Sequence, residues 1–414
     1  MSFLSASSFA SLPAGWKIRA KAALRWVAGA VLVFLTGSLP AFAQNATPAP
    51  DDLPIPTPGV SPKIPPSTAS RRPDLFAPLP FYERRNNYFF AGAADLRYRT
   101  LTSSGEDETI GSYVSAARFT GEYIRANPST GDERGGVRLQ FLLESDNRGT
   151  RLNRLRMSEA YVFYRFLFPG VSATIRAGQF VLPFGLIAVY DTPLQPIQPL
   201  YERALGLRVD TGLMLEGDYG PYHYAASITR GVGPNKQDED SMGVLAFRLS
   251  RVLPAQLGNF RFGQLQLSGS LLSGRLPVTG FSTELPPSGF TGASVAAEYV
   301  KKTRFAADAI YEYGPFLGRG EIVFGSDDQE PVWGYFAEGN YQVVSRLTAV
   351  AFARRWNFPV RPERAQAYGV GLNYTFGKEL VLRSLFEYEE QIPADGSLDR
   401  TVIRRFTLQT RLNF

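Results

Sequence analysis

The sequence has 414 residues, of which 44% are hydrophobic, and its mean hydropathy is −0.13. It contains no cysteine and one histidine, His223, which excludes disulfides, thiolate catalysis and a histidine metal cluster within one chain. The formal net charge is +6, but residues 1–43 hold four cations and no acidic residue, so the remainder carries 6 − 4 = +2. That small excess gives little support for nucleic-acid binding, which needs a concentrated basic face.

The N-terminus has the three parts of a cleaved export signal. A basic stretch (17–25) precedes an apolar run (26–35), and Ala43 ends a small-x-small pattern that is typical of a cleavage site. The apolar run is short for a spanning helix, and Gly37 follows it closely. We therefore predict a signal peptide over residues 1–43 that is cleaved after Ala43, with a membrane anchor as the alternative.

Residues 44–85 differ from the rest of the chain in composition. Proline recurs throughout the segment, at positions 48, 50, 54, 56, 58, 62, 65, 66, 73, 78 and 80. Proline lacks the N–H that a strand ladder needs, and a segment without periodic apolar residues cannot bury a core. We predict an extended or disordered periplasmic tail, which serves either as a plain spacer or as a protein-docking arm.

From residue 86 to Phe414 the chain repeats runs of about ten residues that alternate in polarity and are separated by turn-forming residues. In one such run Tyr368, Val370 and Leu372 alternate with small or polar residues, so each set lies on one side of a sheet. Aromatic residues cluster toward one end of segment 161–168, which is typical of an aromatic girdle at a membrane interface. The pattern therefore predicts an all-β, transmembrane antiparallel β-barrel over residues 86–414 rather than a soluble sandwich.

Seventeen segments fit the strand pattern. They are 87–100, 113–126, 134–146, 157–168, 171–180, 207–219, 222–230, 241–253, 260–273, 290–300, 303–313, 318–326, 332–343, 345–357, 365–376, 379–390 and 401–414. Bacterial barrels made from one chain have an even number of strands, so one segment is wrongly assigned or one is missed. We predict sixteen strands, with eighteen as the alternative.

The last segment ends on an aromatic residue. Phe406, Leu408, Leu412 and Phe414 share one face of the strand, and Phe414 is the final residue of the sequence. The segment resembles the closing strand of outer-membrane barrels, whose terminal aromatic residue is recognised by the barrel-assembly machinery. The resemblance implies that Phe414 is a C-terminal assembly signal.

One short segment resembles a known family. Its signature residues are Gly178, Gln179, Phe180, Pro183, Phe184 and Gly185. The segment is similar to the signature of the phosphate-selective porin O and P family, and Tyr201-Glu-Arg203 followed by Thr211-Gly212 also fits that family. The resemblance implies a sixteen-stranded, trimeric bacterial outer-membrane porin over roughly residues 87–414.

The sequence departs from the phosphate-specific members of that family in its lysines. Those members are described as using lysine clusters and an arginine ladder in the pore. This chain has seven lysines, and none of Lys236, Lys301, Lys302 and Lys378 in the barrel region matches the cluster. The resemblance therefore does not extend to phosphate specificity.

Residues 181–203 form a long connection that is rich in proline. Connections longer than about twelve residues in a compact fold are usually functional or disordered, and in a porin such a loop folds inward to narrow the lumen. We predict the following pore-constriction residues: Tyr190, Asp191, Gln195, Gln198, Tyr201, Glu202 and Arg203. The alternative is an ordinary surface loop.

Charged residues of both signs lie on the polar faces of the predicted strands. As lumen charges we select Arg97, Arg99, Arg118, Arg138, Arg165, Arg176, Glu144 and Glu159. Rings of charge set ion selectivity in channels, and other acidic residues nearly balance the arginines, so we predict a weak preference for anions at most. The alternative is that most of these charges pair across strands and only keep the lumen hydrated.

We predict that the protein is an outer-membrane porin for passive diffusion of ions and small hydrophilic solutes. His223 lies on the polar face of its strand and is interpreted as a lumen or turn residue, so no catalytic, cofactor or metal site is expected. The expected partners are outer-membrane lipid, the barrel-assembly machinery and, from the family resemblance, two further copies in a homotrimer. A plugged structural or adhesive barrel without transport is the main alternative, and a soluble secreted sandwich is a third hypothesis.

Overall fold

The computed structural model describes residues 83–414, with gaps. The gaps are 86–87, 104–105, 127–132, 145–153, 169, 191–194, 234–242, 254–255, 258–259, 262, 278–298, 358–363, 378 and 393–400. The predicted signal peptide (1–43) and most of the predicted tail (44–82) lie outside the described residues. Within the described ranges, no helix is long and apolar enough to cross a membrane.

Sixteen long strands account for most of the described chain. They are β2 (Tyr88–Ser103), β3 (Glu106–Ala126), β4 (Glu133–Glu144), β5 (Arg154–Phe168), β6 (Val171–Val181), β7 (Val209–Tyr219), β8 (Tyr222–Thr229), β9 (Val244–Leu253), β12 (Gln264–Pro277), β13 (Tyr299–Tyr313), β14 (Phe316–Asp327), β15 (Glu330–Val344), β16 (Leu347–Asn357), β17 (Arg364–Phe376), β18 (Leu380–Ile392) and β19 (Thr401–Asn413). Three short strands accompany them, namely β1 (Glu83–Arg85), β10 (Gln256–Leu257) and β11 (Phe260–Arg261).

The sixteen strands form a closed antiparallel barrel. Strands β2 to β9 pair in chain order, β9 pairs with β12, β12 to β19 pair in chain order, and β19 pairs with β2. Closure leaves no unpaired sheet edge, which is the arrangement that a lipid environment requires of strands. The predicted fold class and the count of sixteen strands are confirmed.

One of the seventeen predicted segments was wrong as a separate strand. Residues 299–300 of segment 290–300 and the whole of segment 303–313 belong to the single strand β13 (Tyr299–Tyr313). The polar run Lys301-Lys302-Thr303 resembles a turn in the sequence, but all three residues stay in the ladder opposite β14 or β12. A buried partner for Lys302, described below, explains why a lysine can lie inside the lumen there.

The two faces of the barrel differ sharply in polarity. On β17, Tyr368, Val370 and Leu372 are exposed on the outer face, and their neighbours point into the lumen. Exposed aromatic residues gather at the end of the barrel that holds both chain termini of the described region: Tyr88, Phe90, Tyr123, Tyr164, Phe168, Tyr219, Tyr313, Phe316, Tyr341, Phe376 and Phe414. This distribution is typical of a barrel with an apolar outer band and an aromatic girdle.

The seam between the first and last strands closes around a glycine. Gly92 and Phe414 exchange two backbone hydrogen bonds, of 2.6 and 3.0 Å. A Cβ atom at Gly92 would lie 2.1 Å from the Phe414 ring, so the glycine leaves room for that ring. Next to this seam, β1 pairs with the first residues of β2. The last three residues of the predicted tail therefore form a strand rather than an extended coil.

The two ends of the barrel are connected differently. At the terminal end, where β2 begins and β19 ends, tight turns at 220–221, 314–315 and 345–346 join neighbouring strands. At the opposite end β14 and β15 are joined by Asp328 and Gln329, which both have positive φ (43° and 84°) and make a two-residue hairpin turn. The connection between β6 and β7 also starts at this opposite end, but it turns inward.

Candidate functional site

The connection between β6 and β7, residues 182–208, is called the inner loop below, and its described parts, 182–190 and 195–208, lie inside the barrel. It leaves β6 at Val181 and returns as β7 at Val209. It contains a 3-10 turn, Gly185–Ala188, and a one-turn helix, Tyr201–Ala204. The loop continues five residues beyond the predicted connection, 181–203, because strand pairing resumes only at Val209.

Apolar side chains pack the inner loop against one part of the lumen wall. Leu182, Phe184, Leu186, Leu200 and Leu205 are each at most 1% exposed. The wall residues in the same cluster include Val244, Ala246, Leu272, Leu276, Ala306, Val323, Phe336, Val350 and Trp356, from β9 and β12–β16. The lumen face of a channel is normally polar, so apolar residues on this face mark where the loop covers the wall.

Two signature residues, Gly178 and Phe180, lie near the end of β6, where the inner loop begins. Gly178 has a φ of +131°, and a Cβ atom there would lie 2.3 Å from the carbonyl oxygen of Ala160, so a side chain is excluded. The Phe180 side chain is fully buried and packs with Tyr161 and Met214. Tyr161 therefore faces the lumen. The aromatic cluster 161–168 was predicted as part of the girdle, but only alternate residues of this cluster, such as Tyr164 and Phe168, lie on the outer face.

The signature glutamine stabilises an irregularity in the neighbouring strand. The pairing of β4 with β5 skips Ser158, which forms a β-bulge. Gln179 donates from Nε2 to the carbonyl oxygens of Met157 (2.5 Å) and Ser158 (3.1 Å). A bulge leaves ladder groups unpaired, and buried carbonyl groups need a donor. Gln179 supplies that donor from β6.

The second half of the signature begins the loop. Pro183 and Phe184 are both buried, and Gly185 follows with a φ of +51°. A Cβ atom at Gly185 would lie 1.8 Å from Oε1 of Glu321 on β14. The same oxygen accepts a hydrogen bond of 2.8 Å from the backbone N–H of Leu186. The glycine therefore lets a wall carboxylate reach the loop backbone.

A buried ion pair completes this first attachment. Arg248 on β9 makes two hydrogen bonds to the Asp308 carboxylate on β13, and both side chains are nearly inaccessible to solvent. Arg248 also donates to the carbonyl oxygen of Gly185. The Gly185 N–H donates to the Ser270 hydroxyl on β12 at 3.0 Å. The buried charges are paired and hydrogen-bonded, as burial requires.

A second attachment lies at the end of the one-turn helix. Lys302 Nζ donates to the carbonyl oxygen of Leu205 at 3.0 Å, and Arg304 Nε donates to that of Ala204 at 2.8 Å. Both side chains are 0% exposed. Arg304 also forms an ion pair with Asp327, and its guanidinium lies 5.8 Å from the Trp356 ring centroid. These cations bind carbonyl groups that a helix leaves without partners at its C-terminal end.

Four of the predicted constriction residues, Tyr190, Gln195, Gln198 and Arg203, have described side chains, and they contact the wall or each other. The Tyr190 hydroxyl donates to Glu338 at 2.8 Å, and Arg203 forms an ion pair of 2.7 Å with Glu389. Gln198 donates from its side chain to the carbonyl oxygen of Gln195 at 2.7 Å. Asp191 lies outside the described residues, and the side chains of Tyr201 and Glu202 are not described, although their backbone forms the one-turn helix.

A cavity lies between the middle of the inner loop and the wall. It is lined by Tyr190 and Gln195 from the loop and by Arg319, Asn340, Asn373 and Arg383 from β14, β15, β17 and β18. The Arg319 guanidinium lies 5.2 Å from the Tyr190 ring centroid and pairs with Glu338 at 2.9 Å. Tyr190 is thereby held between a cation and a carboxylate.

Arginines dominate the wall that the loop leaves uncovered, on β19 and β2–β6. On its lumen face lie Arg97, Arg99, Arg118, Arg138, Arg165, Arg176, Arg405 and Arg411, together with Asp95, Glu122 and Glu159. The structure places all seven of the predicted lumen charges whose side chains it describes on this face. The side chain of Glu144, the eighth, is not described.

Several of these lumen charges are paired, as the alternative hypothesis expected. Arg138 lies 3.0 Å from Glu159 and 3.3 Å from Glu122, and Arg176 forms an ion pair with Glu216. Among the side chains that the structure describes on this wall, arginines nevertheless outnumber carboxylates, so this part of the wall carries an excess of positive charge.

His223 forms a small polar cluster near the terminal end. Its Nδ1 lies 2.9 Å from Oδ1 of Asp218, and the Ser172 hydroxyl donates to the other Asp218 oxygen at 3.0 Å. Both ring and carboxylate are more than a third exposed. The serine is bonded to the aspartate and not to the histidine, so the cluster lacks the serine–histidine contact that activates a nucleophile.

The residues that attach the loop were not predicted as site residues. Arg248, Arg304 and Glu321 are not among the lumen charges selected from the sequence, and Glu321 is the hardest of them to find. Its lumen-phase neighbours along β14 are Arg319 and Val323, so in the sequence it resembles any other polar residue of the lumen face. Nothing in that pattern identifies the loop backbone as its partner.

The barrel resembles solved outer-membrane channels in fold. These include the outer-membrane channel DcaP of Acinetobacter baumannii (TM-score 0.52, 11% identity, 81% of this chain and 100% of that chain). An anion-selective porin from Comamonas acidovorans (0.53, 10%, 79% and 99%) and the trimer form of OmpT from Vibrio cholerae (0.53, 10%, 80% and 100%) are similar to the same degree. No protein-family model and no curated protein matches the sequence. At such low identity the likeness shows a shared porin-type fold.

Proposed function

We propose that the chain is an outer-membrane porin through which ions and small hydrophilic solutes diffuse passively. The observation that carries the proposal is the division of the lumen: the inner loop covers β9 and β12–β16, and the arginine-rich wall of β19 and β2–β6 faces it. A loop that narrows a polar lumen opposite a charged wall is the arrangement of a diffusion pore, in which radius and charge placement set selectivity.

The proposed pore has a weak preference for anions. The excess of arginine on the uncovered wall supports it, and the ion pairs within that wall limit its strength. One structural relative, from Comamonas acidovorans, is named as an anion-selective porin. The proposed constriction residues are those of the inner loop, with Tyr190, Gln195 and Arg203 nearest to described wall groups.

Phosphate specificity is not part of the proposal, although the signature is similar to that of the O and P family. Lys301 points outward and is exposed, and the Lys302 ammonium is bound to the carbonyl oxygen of Leu205. Neither can bind a permeating anion in the open lumen. Lys236 and Lys378 lie outside the described residues.

The proposal includes export, membrane insertion and assembly. The signal-peptide pattern predicted from the sequence of residues 1–43 supports export, and the exposed apolar outer face supports contact with outer-membrane lipid. Phe414 at the closing seam supports recognition by the barrel-assembly machinery. A homotrimer is supported by the family resemblance and by the trimer form named for one structural relative. We propose no enzymatic activity.

Purified protein in a planar lipid bilayer provides the test. We expect stepwise ion conductance and, across a KCl gradient, a small reversal potential whose sign indicates anion preference. Absence of conductance steps would contradict the proposal. If deletion of residues 44–82 then produced conductance, the plugged barrel would be the better description; the deletion spares β1, which pairs with β2.

A further inference from the structure

Charged side chains of the barrel wall bind the backbone of the inner loop at both of its helical turns. At the first turn Glu321 accepts from the Leu186 N–H. At the second turn Lys302 and Arg304 donate to the carbonyl oxygens of Leu205 and Ala204. A carboxylate thus accepts a hydrogen bond from an N–H group near the start of the first turn, and two cations donate to C=O groups at the end of the second turn.

This choice of signs follows the polarity of helical turns. The first N–H groups and the last C=O groups of a helix have no partner within it, and charged groups bind them more strongly than neutral ones. The wall supplies each partner from a strand: Glu321 from β14, and Lys302 and Arg304 from β13. All three side chains are buried, so water cannot replace them without opening the contact.

We propose that Glu321, Lys302 and Arg304 are positioning residues that set the cross-section of the pore by binding the loop backbone. The proposal rests on the proposed function, because a cross-section is measured by conduction. It goes beyond it in assigning a share in the position of the loop to three charged wall residues, in addition to the loop side chains that pack against the wall. Arg248 supports Glu321 indirectly, since it binds the Gly185 carbonyl oxygen and Asp308 on the same side.

The alternative is that these charges act on permeating ions directly. Their burial argues against it, because a side chain beneath the loop does not meet the solution in the lumen. The two roles make different demands on Glu321. A positioning role needs an acceptor oxygen for Leu186 N–H, whereas an electrostatic role needs the negative charge.

The decisive experiment compares Glu321→Ala with Glu321→Gln in single-channel recordings. The amide of Gln keeps an acceptor oxygen and loses the charge, whereas Ala loses both. We expect Glu321→Ala to change the single-channel conductance by about twofold and to add open-channel noise, and Glu321→Gln to stay close to the wild type. Glu312→Ala is the matched control, because it removes a half-buried lumen-face carboxylate of β13 for which no loop contact is described.

Several outcomes of this comparison would overturn the proposal. One is equal conductance of Glu321→Ala, Glu312→Ala and the wild type. Another is an equal effect of the Ala and Gln variants at Glu321, which would assign the role to charge. Migration of each barrel in SDS before and after boiling identifies variants that fail to fold, and a variant that does not fold is replaced by Gly185→Ala, which obstructs the same contact from the loop side.

A second measurement does not depend on conduction. We expect Lys302→Met to increase hydrogen–deuterium exchange of backbone amides in 200–208, with Lys301→Met on the outer face of the same strand as control. Unchanged exchange in Lys302→Met would overturn the anchoring role of this residue. If the wild type does not conduct but Lys302→Met raises exchange, the porin proposal fails and the anchoring of the loop stands.

Discussion

The two halves of the lumen wall carry the same residue types and use them differently. On β9 and β12–β16, Arg248, Arg304 and Glu321 are buried beneath the inner loop and bind its backbone. On β19 and β2–β6 the arginines face the lumen across from the loop, and part of them pair with carboxylates of neighbouring strands. A charged residue on the lumen face therefore holds the inner loop where the loop covers it, and faces the lumen where the loop does not.

This difference explains why apolar and charged residues alternate along the covered wall. On β14, Leu317 and Val323 are fully buried in the same lumen phase as Glu321. The apolar residues stabilise the loop by burial, whereas the charged residues satisfy its backbone groups. The uncovered wall needs no apolar residues for this purpose, and its polar groups keep the lumen hydrated.

The largest expected effect comes from removing the loop that creates the difference. Replacing residues 186–205 with a short Gly-Ser linker exposes both walls to the lumen, and we expect conductance to rise severalfold because the pore is wider. The measurement is single-channel conductance in a planar bilayer. A shortening of similar length in 278–298, a connection outside the described residues, is the control for loop deletion itself. Equal conductance of the loop-deleted and intact channels would show that the inner loop does not narrow the pore.

Neutralising arginines on each wall tests the comparison directly. We expect Arg138→Gln to lower the anion-to-cation permeability ratio by about twofold, because this charge faces the lumen. Arg319→Gln on the covered wall removes a cation whose side chain is less exposed (9% against 21% for Arg138) and should change the ratio less. Reversal potentials across a KCl gradient measure both. An equal shift from the two walls would contradict the division of roles.

The smallest expected effect on conduction comes from a polar side chain of β6 that is buried against the neighbouring strand. Gln179→Ala removes the donor for the carbonyl groups of the bulge at Ser158, and the unfolding free energy should fall by about 1–3 kcal/mol. Urea unfolding of the folded barrel measures the loss, with the exposed Gln264→Ala as control. Single-channel conductance should stay unchanged. A changed conductance with unchanged stability would place Gln179 in the pore instead of the scaffold.

The fold was largely predictable from the sequence, because side chains alternate between the two faces of a strand with a period of two. In β4 and β17 the alternation places Val137 and Tyr368 outside without any knowledge of the partner strands. The boundary error at β13 has a physical cause as well. Lys302 has the polarity of a turn residue. Its burial is possible because its ammonium group donates to the carbonyl oxygen of Leu205, which is distant in sequence.

The candidate site was predictable only in part. The length and proline content of 181–203 predicted an unusual connection, and the signature predicted its location. The hydrogen bond from the Leu186 N–H to Glu321 joins residues 135 positions apart, and neither a strand period nor a motif encodes such a pair. Gly185 is required for two reasons, a positive φ and the close approach of a carboxylate, and only the second depends on the tertiary structure.

The hydrogen bonds at the two ends of the inner loop are made to its main chain, and that has a practical consequence. Main-chain groups are the same whatever residue is present, so a side chain between the attachments that neither packs against the wall nor pairs with it is available for redesign. Gln195 lines the cavity beside Arg319. A change of its size or charge would alter the lining of the aperture, while the hydrogen bonds at the two attachments stay in place. The barrel thus offers a nanopore scaffold in which a residue that lines the aperture can be changed without changing the residues that hold the loop.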